Sequence, residues 1–322
     1  MERLTRAKLT RALNTFLLSM ALLIAMAIIA SGVPAYAEEE KGAHHAKEEA
    51  APAPANEEAA SIPPEGTAGP DNASVSVVFS AFNRYIFRGY EVSTHSMVFQ
   101  PSITLSYMGF SANVWSNIDT HEQATQNFIP DNPGGASYNE VDIKLSYTRS
   151  WGLFSLTGGY VYYGVKYANK TQEVFMAAAL DMITKPVLTV YRDFDSFPGT
   201  YFNLAFSHSV PLPMIMKDMT LDLGACFGYM DGSSGYWHTY EAASTAGGTD
   251  AYTGKKYSAF HDGMLSLGVT IPIVNNLTVQ PVAMYTFPLS HDASRMVNGV
   301  SYNPNGALDQ NFIYGLNLTY NF

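Results

Sequence analysis

The chain has 322 residues, a formal charge of −10, 14% charged and 13% aromatic residues, and a mean hydropathy of −0.03. Low charge with many aromatics is unlike a soluble domain, and a mean hydropathy near zero is unlike a helical membrane protein. The acidic balance, with no basic patch, argues against nucleic acid as a partner, and the single cysteine, Cys226, rules out an intramolecular disulfide.

Residues 1–37 read as a signal peptide. Arg3, Arg6, Lys8 and Arg11 make a positive start, residues 16–30 are apolar, and Ala35-Tyr36-Ala37 supplies the small residues of a cleavage site. Residues 38–70 are dominated by Ala, Glu and Pro, with one isoleucine and no aromatic. Such a segment cannot bury enough apolar surface to order itself and reads as a disordered acidic periplasmic linker. Its His44-His45 pair is too small a donor set for a metal site. No cofactor or metal motif is expected anywhere in the chain.

From 71 to 322 the dominant pattern has a period of two, which is the signature of a strand with one apolar and one polar face. A first strand is predicted over 72–88, with Val75, Val77, Phe79, Ala81 and Tyr85 on the apolar face. Others follow over 97–107, 110–119, 138–149, 154–163 and 172–181. A weak strand of ambiguous facing is predicted over 186–193, then clearer ones over 200–210, 219–230, 258–271 and 277–287. The last, 311–322, sets Phe312, Tyr314, Leu316, Leu318, Tyr320 and Phe322 against mostly small or polar residues. Its aromatics near both ends match the girdles of a transmembrane barrel, and a terminal strand ending in Tyr320 and Phe322 is similar to an outer-membrane assembly signal.

Twelve amphipathic strands form an even number, as single-chain bacterial barrels require. The fold class expected is therefore all-β, a transmembrane antiparallel up-and-down barrel of about twelve strands over 71–322, located in the outer membrane. Alternate connections should be long and extracellular, beginning with the one after the first strand. The expected partners are outer-membrane lipid, the barrel assembly machinery and small hydrophilic solutes.

On this register the polar face places Arg84, Arg88, Asp119, Glu140, Asp142, Lys144, Glu173, Asp181 and Asp222 in the interior, where acids outnumber bases. Charges enclosed in a small lumen need partners or water, so Arg88 is expected to pair with Glu140 or Glu173. Charged rings also set ion selectivity, and this excess of acids predicts a weak cation preference. Phe82, Trp115, Tyr163, Phe175 and Tyr201 should point inward as well, making the passage narrow or partly plugged.

The stretch Asn83-Arg84-Tyr85-Ile86-Phe87-Arg88-Gly89-Tyr90 is followed by Gln100-Pro101-Ser102-Ile103 and by Gly109-Phe110-Ser111-Ala112-Asn113-Val114-Trp115. Together they resemble the opening strands of the TorF-like porin family of proteobacterial outer membranes. Looser similarity continues at Gln172-Glu173-Val174 and Phe206-Ser207-His208-Ser209. The chain departs from that pattern at Asn83, where serine is common, and in its acidic segment. The resemblance implies an outer-membrane barrel with a channel role.

Such a barrel is open to three other functions. A barrel lipase needs a His-x-Ser spacing that His208-Ser209 lacks. A barrel protease needs a His–Asp dyad and an acidic pair at the rim. His261-Asp262 and the pair Asp193 and Asp195 sit near the rim, but neighbours in a regular strand point to opposite faces. An adhesive barrel would use loops 231–256 and 288–310 as its contact surface.

Overall fold

The structure is a computed structural model that describes residues 73–126, 130–232, 240–244, 250–294 and 308–322. The expected signal peptide and linker lie outside the described residues, as do 233–239 and 245–249 of loop 231–256 and 295–307 of loop 288–310.

In chain order the strands are β1 (Ser74–Phe82), β2 (Tyr85–Phe87), β3 (Tyr90–Ser93), β4 (Val98–Tyr107), β5 (Phe110–Asp119), β6 (Ser137–Trp151), β7 (Phe154–Val165) and β8 (Thr171–Leu180). They continue as β9 (Val187–Asp193), β10 (Gly199–Pro211), β11 (Thr220–Gly232), β12 (Tyr240–Ser244), β13 (Asp250–Lys256), β14 (Ser258–Val274), β15 (Leu277–Pro288) and β16 (Asn311–Asn321). One short helix, α1 (His291–Ser294), lies between β15 and β16. Leaving out the small hairpins β2–β3 and β12–β13, twelve strands close an antiparallel barrel in which each pairs with its sequence neighbours. The ring is shut by β1 against β16, from Ser76 opposite Asn321 to Phe82 opposite Gly315. Closure leaves no strand edge with unpaired backbone groups, a requirement inside hydrocarbon.

The faces follow the predicted alternation. Leu105, Leu145, Met176, Leu223, Leu267 and Leu318 are exposed on the outside, and so are the aromatics Tyr107, Phe110, Tyr147, Trp151, Tyr285 and Tyr314. A ring of exposed apolar side chains around a closed, fully paired barrel is stable only in lipid. The protein is a transmembrane β-barrel. The weak seventh predicted strand is β9, with Leu188 outward and Val187, Tyr191 and Asp193 toward the interior; it pairs with both β8 and β10.

Three of the five connections at one end of the barrel are two-residue turns, and the other two are 181–186 and 212–219. Met108 and Gly109, both with positive φ (49° and 83°), make a two-residue turn, and residues 152–153 and 275–276 make others. The opposite end carries the longer connections 83–97, 120–136, 233–257 and 289–310. Short turns face the periplasm and long loops the exterior in such barrels.

The first predicted strand is corrected. It stops at Phe82 rather than running to Arg88, because Asn83 turns the chain. The Asn83 N–H donates to the Tyr314 carbonyl (3.1 Å), and its side-chain oxygen accepts from the Tyr314 N–H (2.8 Å). The chain then enters the hairpin β2–β3. Its two-residue turn, Arg88-Gly89, has positive φ at both positions (41° and 80°), the geometry of a tight hairpin whose twist matches its strands. Tyr85, read from the sequence as lipid-facing, is fully buried inside the barrel. Asp181 is also corrected: β8 ends at Leu180, and Asp181 lies exposed in the following turn, where its N–H donates to the Leu153 carbonyl (2.7 Å).

Candidate functional site: the barrel interior

The interior has two unlike halves. Toward the short turns, the inward residues are small, mostly polar and half-buried, among them Ser76, Thr104, Asn113, Thr157, Ser266 and Thr278. Their hydroxyls and amides bond across strands, as Asn113 does to Ser102 and Thr104 (2.8 Å each) and Thr148 to Thr157 (2.8 Å). Asp222 belongs to this half. It is half-buried and accepts from Ser209, Thr220, Thr270 and Gln280. This lining forms a polar vestibule at the periplasmic end.

Toward the long loops, the hairpin β2–β3 fills the barrel. Tyr85, Ile86, Phe87, Tyr90 and Val92 are at most 4% exposed. They pack against inward residues contributed all round the wall, including Phe82, Trp115, Tyr201, Met264, Met284 and Ile313. Tyr85 lies 5.6 Å from the Trp115 ring on β5, and Tyr90 lies 5.3 Å from the His261 ring on β14. Burying such side chains contributes about 2 kcal/mol each, so the hairpin is held by packing as well as by its own ladder.

Arg88, at the hairpin tip, is the centre of this half. Its guanidinium donates two parallel bonds to Glu173 on β8 (2.9 Å each), with both side chains almost completely buried. The fork matches the carboxylate, the geometry in which an arginine–carboxylate pair is strongest. The same guanidinium stacks near Tyr201 (4.3 Å), Phe87 (4.7 Å) and Tyr191 (5.1 Å). Tyr163 donates its hydroxyl to Glu173 as well (2.8 Å). Gly89 beside it must be glycine: its φ is positive, and an added Cβ would stand 3.0 Å from Cβ of Asp262.

The remaining predicted residues occupy distinct places. Glu140 and Asp142 are buried in the same half, on the inner face of β6. Lys144, two residues further on, is half-buried toward the vestibule, with its ammonium 5.1 Å from the Phe175 ring. Arg84 is partly exposed and bonds Glu91 (2.8 Å) and Asn311 (2.5 Å), fastening the hairpin base to β16. Asp119 is buried at the outer rim. It accepts from Ser96 and from the His121 N–H (2.9 Å), so it ties two loops together. Tyr320 is buried rather than lipid-exposed, because the Phe322 ring packs edge-on against it at 4.6 Å.

Several interior groups were not picked out from the sequence. Glu122, in the loop after β5, is buried and accepts from Asn139 (3.2 Å) and Tyr167 (2.6 Å). In the loop after β7, the Tyr167 phenol is pushed up from its usual range, mainly by burial and then by that bond. Asp193 is buried and accepts from Thr171 (2.8 Å) and the Asp195 N–H (3.0 Å), so it caps a turn instead of forming a rim acid pair with Asp195.

His261 and Asp262 overturn the expectation that they point apart. In the β11–β14 pair, Phe227 faces Gly263 and Tyr229 faces Phe260, so His261 and Asp262 together oppose Gly228. This bulge turns both side chains inward, and both are buried. Tyr257 meets the Nδ1 of His261 (2.8 Å), and Tyr201 donates to Asp262 (2.9 Å). Gly228 leaves the space, since a Cβ there would run into the Tyr201 hydroxyl and the Asp262 carboxylate. The two residues therefore share the interior, but each is committed to a tyrosine and sealed behind the hairpin.

Among the described residues, the buried carboxylates are Asp119, Glu122, Glu140, Asp142, Glu173, Asp193 and Asp262, and the only buried lysine or arginine is Arg88.

The closed antiparallel barrel with its lipid-facing apolar girdle is of the kind that spans bacterial outer membranes. The protein is an outer-membrane β-barrel. No family model matches the chain, and no curated protein is similar enough in sequence to match it. Its fold is similar to that of the NanC porin (TM-score 0.45, 10% identity, 76% of this chain and 98% of that one). It is similar also to an outer membrane channel from Pseudomonas putida F1 (TM-score 0.42, 11% identity, 81% and 100%). A third such structure is LpxR from Salmonella typhimurium (TM-score 0.40, 7% identity, 76% and 99%). Likeness at this level carries no function across to this chain.

Proposed function

We propose that the protein is an outer-membrane channel for small hydrophilic solutes or ions, narrow and weakly cation-preferring. In this reading the hairpin β2–β3 is its constriction, and the chain is a relative of the TorF-like porins. The observation that carries the reading is the charge of the interior. Among the described residues, seven buried carboxylates stand against one buried arginine, and that arginine is already neutralised by Glu173. Net negative charge enclosed by a low-dielectric wall favours cations over anions. The polar vestibule leads to this region from the periplasmic side. Residues Arg84, Arg88, Glu140, Asp142, Lys144, Glu173 and Asp222 are the proposed lining, with Asp119 holding the outer rim.

Transport is favoured over catalysis by the state of His261 and Asp262. Both are buried, and hairpin residues Tyr90 and Gly89 pack directly on them. The test is a planar-bilayer measurement with purified full-length protein in a KCl gradient. The expected reversal potential favours potassium modestly; a reversal potential favouring chloride would overturn the selectivity, and absence of any conductance would overturn the channel.

A further inference from the structure

Glu140 stands out among the buried acids. It is 2% exposed, and neither carboxylate oxygen has a hydrogen-bond partner among the described residues. Asp119, Glu122, Glu173, Asp193 and Asp262, by contrast, each accept from a named donor. A buried carboxylate without donors carries a large desolvation penalty unless a positive charge or a proton meets it.

Its surroundings are oxygen-rich and acidic. Asp142 follows it on the same inner face of β6, about 7 Å along the strand at two residues of strand rise. Asn117, directly opposite Glu140 on β5, spends its amide on Gln100 (3.1 Å) and Asn139 (2.8 Å). Tyr85 of the hairpin packs on Trp115, which lies opposite Asp142 on β5. The one buried cation, Arg88, is engaged by Glu173 and does not serve Glu140. The row Glu140, Asp142, Lys144 runs from the sealed half toward the vestibule, with exposure rising along it.

We propose that the Glu140–Asp142 pair, at the closed end of the vestibule and beside Tyr85, is a binding site for a small hard cation. Carboxylate oxygens suit such ions, and softer metals would require nitrogen or sulfur donors. No group of three or more metal-ligating side chains occurs among the described residues. Two carboxylates therefore hold a partly hydrated ion weakly. Weak holding is what a conducting pathway needs, because an ion bound too tightly does not leave. The site rests on the cation-preferring reading above and gives that preference a location.

The probe is Tb3+, a hard oxygen-seeking ion, titrated into folded full-length protein in detergent with excitation of the aromatic residues. Tyr85 and Trp115, whose rings lie 5.6 Å apart, stand at the site to sensitise its emission. Saturable emission is expected for the unmodified protein. Glu140→Gln and Asp142→Asn should each weaken apparent binding by roughly tenfold or more, at about 1.4 kcal/mol per tenfold. Asp218→Asn, in an exposed periplasmic turn, should leave it unchanged. Heat-modifiable gel migration establishes that each variant has closed its barrel. The site is refuted if the unmodified protein shows no saturable emission, or if both β6 variants titrate like it. Conductance is read separately. A protein that binds Tb3+ through Glu140 but passes no current keeps the site and loses the channel. A conducting protein whose emission ignores Glu140 keeps the channel and loses the site.

Discussion

At the scale of the residue, Arg88 does several things at once. It closes a tight turn with positive φ, fills a cage of three aromatic rings and neutralises Glu173. Truncating it leaves Glu173 buried without its counter-charge, a change that costs about 3–5 kcal/mol in buried pairs. Arg88→Ala should therefore lower the temperature at which the detergent-folded barrel loses heat-modifiable migration. Glu173→Gln should be milder, because Arg88 keeps its three aromatic faces and one amide oxygen still accepts, although the amide N–H2 now opposes the other guanidinium donor. Equal losses from the two would mean that packing, and not the charge pair, anchors the tip. Arg88 and Glu173 could be named from the sequence, since strand alternation sent Glu173 inward. Their partnership was legible only as one of two options, because the partner of a lumen charge depends on which strands face each other across the barrel.

At the scale of the element, the hairpin β2–β3 is the part that departs most from simple alternation. The stretch Tyr85 to Ser93 alternates well enough to pass for a strand end, and so its start was assigned to the first strand. The local signal for a hairpin was the Arg88-Gly89 pair between aromatic residues. What the alternation could not reveal is that both faces of this hairpin are covered, one by the β5 wall and the other by β14. Replacing residues 85–93 with a short Gly-Ser linker should leave the twelve-strand barrel able to close, since its ladder does not include them. Single-channel conductance of that variant should rise several-fold. An unchanged conductance would show that the constriction lies elsewhere.

The closing strand β16 gives a second element-level prediction. Phe322 donates its N–H to the Val75 carbonyl (2.9 Å), next to the β1–β16 seam, and packs its ring on Tyr320. Deleting Phe322 removes both contacts at the point where the ring is shut. Yield of inserted protein should fall, while each channel that does insert conducts normally. Normal insertion of the truncated protein would refute the assembly role assigned to this strand.

At the scale of the whole molecule, the barrel has direction. The turn between β10 and β11 carries Met214, Ile215 and Met216, all exposed, and lies at the short-turn end. If that end is periplasmic, Met214→Cys should resist a membrane-impermeant thiol reagent in intact cells and react after the outer membrane is permeabilised. Labelling in intact cells would invert the orientation and put the vestibule on the outside. The buried native Cys226 should stay silent in both conditions.

The sequence by itself determined the barrel: strand number, order, and, for every strand but the one over 186–193, the side that meets lipid. Those properties are set by local alternation and turn chemistry, which are written within ten or twelve consecutive residues. It also placed Phe82, Trp115, Tyr163, Phe175 and Tyr201 inward, and all are buried. Only the tertiary structure decided what fills the interior. The bulge that turns both His261 and Asp262 inward arises from a mismatch between two strands, so neither strand announces it alone. The path of the hairpin across the lumen and the Arg88–Glu173 pair depend on residues far apart in the chain, such as Tyr90 and His261 or Arg88 and Glu173, meeting across a closed ring. Distances of that kind follow from curvature and closure, which no local period encodes.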